Sequence, residues 1–225
     1  MNLRIINLGT RLQYEEIMKK VLLRAPLLTN SGYGVHSRQI FEWLETRKDL
    51  QVTSQCLQWG QTPWIIKETT TNFEGKFDIT FQVQLPDEWD TSLGHYNVGV
   101  TALVETDRCN YPWLEKINSM DRVIVPSRFT KQVIINSFGQ SLDKKIVVVP
   151  EWFNTCLSLN KQKISSVKDE RFNFETNFNL LTVGTLTSPD SSCDRKNLLN
   201  TISWAIEAFE GQEDVGIIVK TNMGK

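Results

Sequence analysis

The sequence predicts an α/β protein: a doubly wound parallel-sheet domain followed by the beginning of a second domain of the same kind. Three observations carry this. Short β-branched runs alternate with segments of helical period, turn residues cluster between them, and a polar stretch after residue 153 interrupts the pattern before it restarts. Strands joined through helices run parallel, because each crossover returns the chain to the same edge of the sheet. Such sheets are covered on both faces.

Residues 1–17 carry charges throughout and read as an N-terminal extension, without the apolar stretch or small-residue cleavage site of a signal peptide. The first domain then spans 18–153. Its first strand, 21–28, is apolar except for Arg24 and Pro26. The turn-rich TNSGYG follows, and Ile40, Phe41 and Leu44 mark one face of a helix. Strands come next at 50–57, where Val52 and Cys56 alternate with polar residues, and at 77–83, bounded by Gly75 and Pro86. Residues 96–104 (YNVGVTALV) form a buried strand, and Pro112 opens a short helix with Leu114, Ile117 and Met120 on one face. A strand at 122–126 leads to Ser127, which caps a helix carrying Phe129, Val133, Ile134 and Phe138, and 145–149 is the last strand.

Residues 154–178, rich in Lys and poor in apolar anchors, read as a linker. The region 179–225 restarts with a strand at 180–183 and a loop at 184–193. Asp194 caps a helix with Leu198, Leu199, Ile202, Ala205, Ile206 and Phe209 on one face, and a strand follows at 215–220. Two strands and one helix cannot bury both faces of a sheet. The second domain is therefore expected to be cut short, with its open sheet available for association with other chains.

Composition excludes several function classes. With 225 residues, 40% hydrophobic and 23% charged, the chain has material for a buried core. Its 25 Lys and Arg against 26 Asp and Glu remove the electrostatic reason to expect a nucleic acid or an anionic membrane as partner. No apolar run reaches the ~18 residues of a membrane span. The cysteines Cys56, Cys109, Cys156 and Cys193 form no CxxC and have no zinc-spaced His nearby, so free thiols in a reducing cytoplasm, and no metal site, are expected.

Gly32 and Gly34 lie between a strand and a helix, where small residues let backbone N–H groups and a helix N-terminus approach an anion. The plain alternative is a tight turn. A dinucleotide fingerprint is disfavoured, because Ser37 stands where helix packing wants Gly or Ala and the strand near Ser54 and Gln55 offers no ribose-binding acid. Glu105, Thr106 and Asp107 follow a buried strand at the carboxyl edge of the sheet, where open α/β folds hold ligands; Asp107 can equally pair with Arg108 or cap the next helix. Arg195 and Lys196 adjoin a helix start, with an exposed basic helix end as the plain reading. The acidic cluster Asp87, Glu88 and Asp90, which follows the third strand, reads as a solvated loop anchored by Trp89, with lining of the cleft as the alternative.

The loop SGYGVHSR (31–38), the strand and exit GVTALVETDR (99–108), the segment VIVPSRFTKQV (123–133), and LLTVGTL with DRKN (180–186 and 194–197) occur in an order that resembles the GT-B glycosyltransferases, in particular the family 4-like enzymes. The resemblance runs from about Met18 to the end of the chain. It implies two facing Rossmann-like domains that transfer a sugar from a nucleotide-sugar donor to a carbohydrate or related acceptor, with no cofactor or metal. It further implies that Gly32 and Gly34 approach the donor phosphates and that Tyr33, His36, Thr106 and Asp107 line the cleft on the acceptor side. Glu105 would act on the acceptor hydroxyl, and Arg195 and Lys196 would meet the departing diphosphate, on which negative charge grows as the glycosidic bond breaks. The sequence departs from the family in two places: Glu105 stands near the family's His, and Thr185 replaces the Arg that follows Val-Gly. Because the family's acidic pair and nucleotide-reading loops lie further along, the chain as given is expected to have little or no transferase activity. The alternative is a non-catalytic binding or interaction remnant of such an enzyme. Peripheral membrane contact through an acceptor stays open.

Overall fold

A computed structural model describes residues 3–8, 11–16, 18–60, 74–103, 106–153 and 174–222. The chain divides into two compact units, Met1–Phe153 and Asn154–Lys225.

Strands β1 (Leu3–Leu8) and β2 (Arg11–Glu16), in the region read as an extension, pair antiparallel as a separate two-stranded sheet. The main sheet of the first unit contains β3 (Lys19–Ala25), β4 (Leu50–Cys56), β5 (Phe77–Val83), β6 (Gly94–Val100), β7 (Arg122–Val125) and β8 (Ile146–Val148). All its pairings are parallel, in the order β4-β3-β5-β6-β7-β8. This is an α/β architecture consistent with a Rossmann-like fold. The winding direction reverses between β3 and β5, the topological switch point where such sheets hold ligands.

Helix α1 (Gly32–Glu45) joins β3 to β4, α2 (Trp113–Ser119) joins β6 to β7, and α3 (Arg128–Phe138) joins β7 to β8. Alternation along each strand divides the side chains between two cores. Val21, Leu23 and Ala25 of β3, with Val83, Val98 and Val100, pack with Leu44, Ile40 and Phe41 of α1. Val123, Val125 and Ile146 pack instead with Ile117 of α2, Met120 just after it, Ile134 of α3, and Trp89. Gly99 is required for this second core, since a Cβ there would stand 2.5 Å from the Trp89 ring.

Several expected boundaries shift for identifiable reasons. Strand β3 stops at Ala25 rather than residue 28 because Pro26 cannot donate to the ladder. Strand β6 ends at Val100, short of the expected 104. In α3 the buried stripe is Thr130, Val133, Ile134 and Ile135, while Phe129 in the first turn faces solvent at 60% exposure. Ser127 caps α3 as expected, its Oγ accepting from Thr130 N–H at 3.0 Å.

In the second unit β9 (Phe178–Thr185) and β10 (Val215–Asn222) pair in parallel, with α4 (Leu198–Ala208) between them in sequence. Leu198 is buried, but Ile206, expected on the apolar face, is exposed. Asp194 caps α4 from a distance. Asn197 adopts φ +53°, and this bend lets the Asp194 carboxylate accept from Leu198 N–H at 2.7 Å and Leu199 N–H at 3.2 Å.

Candidate functional site at the carboxyl edge of the sheet

Five residues proposed from sequence, Gly32, Tyr33, Gly34, Thr106 and Asp107, follow the carboxyl ends of β3 and β6. Ser31 caps α1 in extended conformation, its Oγ accepting from Gly34 N–H at 3.2 Å. The two glycines have different duties. A Cβ at Gly32 would meet nothing within 4 Å, whereas one at Gly34 would lie 2.1 Å from the Thr29 carbonyl oxygen. Gly34 is thus required for close approach of helix and loop. Gly32, exposed in the first turn, leaves the helix N-terminus open to solvent.

Arg38, within the same sequence motif, fixes this loop by donating from Nη1 to the carbonyls of Leu27 at 2.7 Å and Thr29 at 2.9 Å. Ser37, the misfit of the dinucleotide fingerprint, is fully buried and donates to Tyr33 O at 2.6 Å. Tyr33 turns its phenol inward. Its oxygen lies 2.9 Å from Thr101 Oγ1 and accepts from Ala102 N–H at 3.1 Å, and its ring meets Trp59 edge-on at 5.4 Å. Burial, partly offset by the Thr101 hydrogen bond, raises the phenol above its ordinary pKa and keeps it protonated.

Beyond Thr101 the backbone is strained: Leu103 adopts φ +51°, a left-handed conformation costly for a leucine, of order 1–3 kcal/mol. Glu105, the sequence's catalytic candidate, lies outside the described residues. Thr106 and Asp107 are exposed just after it, with Thr106 Oγ1 donating to Arg108 O at 2.9 Å.

His36, one turn along α1, is mostly covered, with its Nδ1 3.5 Å from Glu151 Oε1. Burial lowers its pKa, and the Glu151 carboxylate opposes part of that shift. Gln39 donates to Trp152 O at 2.8 Å, so the residues after β8 are fastened to α1. Between them lies a largely apolar cavity of about 710 Å³, lined by residues that include His36, Ile40, Trp43, Phe81, Ile124 and Trp152.

At the switch point, residues not proposed from sequence come together. Arg24, the one charge in the apolar run of β3, donates to Glu88 O at 2.8 Å, and Gln84 Nε2 donates to the same carbonyl. Gln84 is fully buried and its Oε1 has no hydrogen-bond partner among the described residues, at a cost of about 1–3 kcal/mol. Desolvation, with neighbouring Asp87, raises the Glu88 carboxyl above the usual range. Trp89 anchors this acidic loop, its Nε1 donating to Gln82 O at 3.1 Å. The Arg24 signal was present in the sequence; the convergence on Glu88 was not, because it joins residues 64 positions apart.

Arg195 and Lys196 belong to the second unit, exposed in the loop before α4. Lys196 N–H donates to Asp194 Oδ1 at 3.3 Å. Asp194 is the pivot of that loop: the Thr187 hydroxyl, foremost, together with backbone N–H groups, lowers its carboxyl to about 2. Among the described residues, no group of three or more His, Cys, Asp and Glu side chains could hold a metal ion, and no helix is long and apolar enough to cross a membrane. Cys56, Cys109 and Cys193 are free thiols. Neither the protein-family models nor the curated proteins include a match to this chain.

Proposed function

We propose that this chain is of the GT-B, family 4-like glycosyltransferase type, whose enzymes transfer a sugar from a nucleotide-sugar donor to a carbohydrate or related acceptor, and that it binds the nucleotide sugar with little or no transfer of its own. The observation that carries the reading is the union of two sequence motifs at one carboxyl edge: Tyr33 of the SGYGVHSR loop hydrogen-bonds Thr101 and Ala102 at the exit of β6. Open α/β sheets hold ligands on this edge. In this reading the first unit supplies the acceptor side, with His36, Thr106 and Asp107 toward the sugar and Glu105 acting on the acceptor hydroxyl. The exposed first turn at Gly32 receives donor phosphate oxygens. On the second unit, taken by itself, Arg195 and Lys196 are the cations suited to a diphosphate on which charge develops, an interaction strongest in the transition state.

Calorimetric titration with UDP-glucose and GDP-mannose tests the reading. Saturable binding of one of them, weakened at least tenfold by Lys196→Ala, supports it. Acceptor-dependent release of nucleoside diphosphate by the purified chain, abolished by Glu105→Gln, would overturn the expectation of little or no transfer. Absence of binding to both nucleotide sugars overturns the reading.

A further inference from the structure

We propose that Tyr33 is a positioning residue: its buried phenol clamps Thr101 and Ala102 at the exit of β6 and thereby fixes the left-handed Leu103 backbone against the start of α1 at the carboxyl edge. The inference rests on the glycosyltransferase reading and assigns Tyr33 a role different from lining the cleft. Three observations support it. The Tyr33 oxygen accepts from Ala102 N–H at 3.1 Å and lies 2.9 Å from Thr101 Oγ1, which accepts in turn from Leu103 N–H at 3.3 Å. These bonds converge on the residues leading into the left-handed Leu103, φ +51°. A strained conformation of this kind persists only where its surroundings over-determine it, and it recurs at functional sites. Finally, the clamp starts from the first turn of α1, one residue after Gly32 and one before Gly34, whose missing Cβ lets the helix start close against Thr29. The start of α1 and residues Thr101–Leu103 after β6 therefore form one hydrogen-bonded assembly through the phenol oxygen of Tyr33.

Tyr33→Phe removes that oxygen and keeps the ring against Trp59. Thr101→Val removes the partner hydroxyl, and Thr101→Ser restores it. Amide hydrogen exchange in the full chain reads the clamp directly. Ala102 N–H is expected to exchange at least tenfold faster in Tyr33→Phe, with Val98 and Val123 unchanged. Affinity for whichever of UDP-glucose and GDP-mannose the unmodified chain binds is expected to fall about tenfold in Tyr33→Phe and Thr101→Val, and to return to normal in Thr101→Ser. Unchanged Ala102 exchange in Tyr33→Phe overturns the clamp. Faster exchange with unchanged affinity overturns the positioning role and leaves the glycosyltransferase reading standing. Failure of the unmodified chain to bind either nucleotide sugar overturns that reading, and the positioning role with it.

Discussion

The six-stranded sheet of residues 1–153 and the two-stranded pair of residues 154–225 are built from similar sequence and reach opposite degrees of burial. Leu22, Leu23, Val83 and Val125 are fully buried in the first. In the second, Leu181 and Val183 of β9 are more than 60% exposed, and Leu198 is the one buried apolar side chain among the described residues. Both regions hold β-branched strands in parallel register, so strand propensity does not account for the difference. A parallel strand is buried by neighbours on both edges as well as by layers on its faces, and β3 lies between β4 and β5 with α1 packed on it, whereas β9 pairs with β10 in a two-stranded sheet. What differs among the described residues is the number of neighbouring strands.

Substitutions in the two sheets should expose this contrast most plainly. Leu23→Ala removes a fully buried side chain and is expected to cost about 2–5 kcal/mol in urea unfolding of the first unit. Gly34→Ala forces a methyl against the Thr29 carbonyl and should cost about 1–3 kcal/mol, whereas Gly32→Ala, which meets open space, should cost less.

Acid separates the units next. Burial holds His36 below its ordinary value near 6.5, so the unfolded chain binds more protons there, and the first unit should begin to lose stability as pH falls below about 6.5. His36→Gln should remove that portion of the pH dependence. Asp194 is displaced in the direction that protects until stronger acid. Its carboxyl lies at about 2 in the folded chain against 3.8 ordinarily, so its contribution is present above about 4 and is lost as pH falls toward 2. Residue-resolved exchange should show Leu198 and Leu199 amides losing protection in that range, and at all pH values in Asp194→Ala. The smallest effect is expected from Val183→Ala, below about 0.5 kcal/mol because the side chain is already in water. A cost comparable to Leu23→Ala would show that β9 is covered in solution and would break the comparison.

The alternation of strands and helices was readable in the sequence because burial imposes a period on each element. Leu50–Cys56, Phe77–Val83 and the stripe of Leu114, Ile117 and Met120 all lie within a residue or so of where their pattern places them. Caps were readable too, Ser127 directly and Asp194 with an offset created by the left-handed Asn197. The site was legible only in part. The motif SGYGVHSR marks a loop that the structure places at the carboxyl edge, but hydropathy does not tell a phenol that lines a cleft from one that turns inward to Thr101. Phe129 and Ile206 show the same limit: periodicity selects a helix face, and the neighbouring layer decides how much of that face is covered.

By itself, then, the amino-acid order determined the α/β class and the parallel direction of the strands in the main sheet, since both follow from local period, turn chemistry and the geometry of crossovers. Tertiary structure alone decided that Gly34 rather than Gly32 is spatially required, that Tyr33 fastens the exit of β6, and that Arg24 and Gln84 meet at Glu88. Those outcomes depend on distances between residues remote in the chain, fixed only when strand order and register bring them to one edge of the sheet.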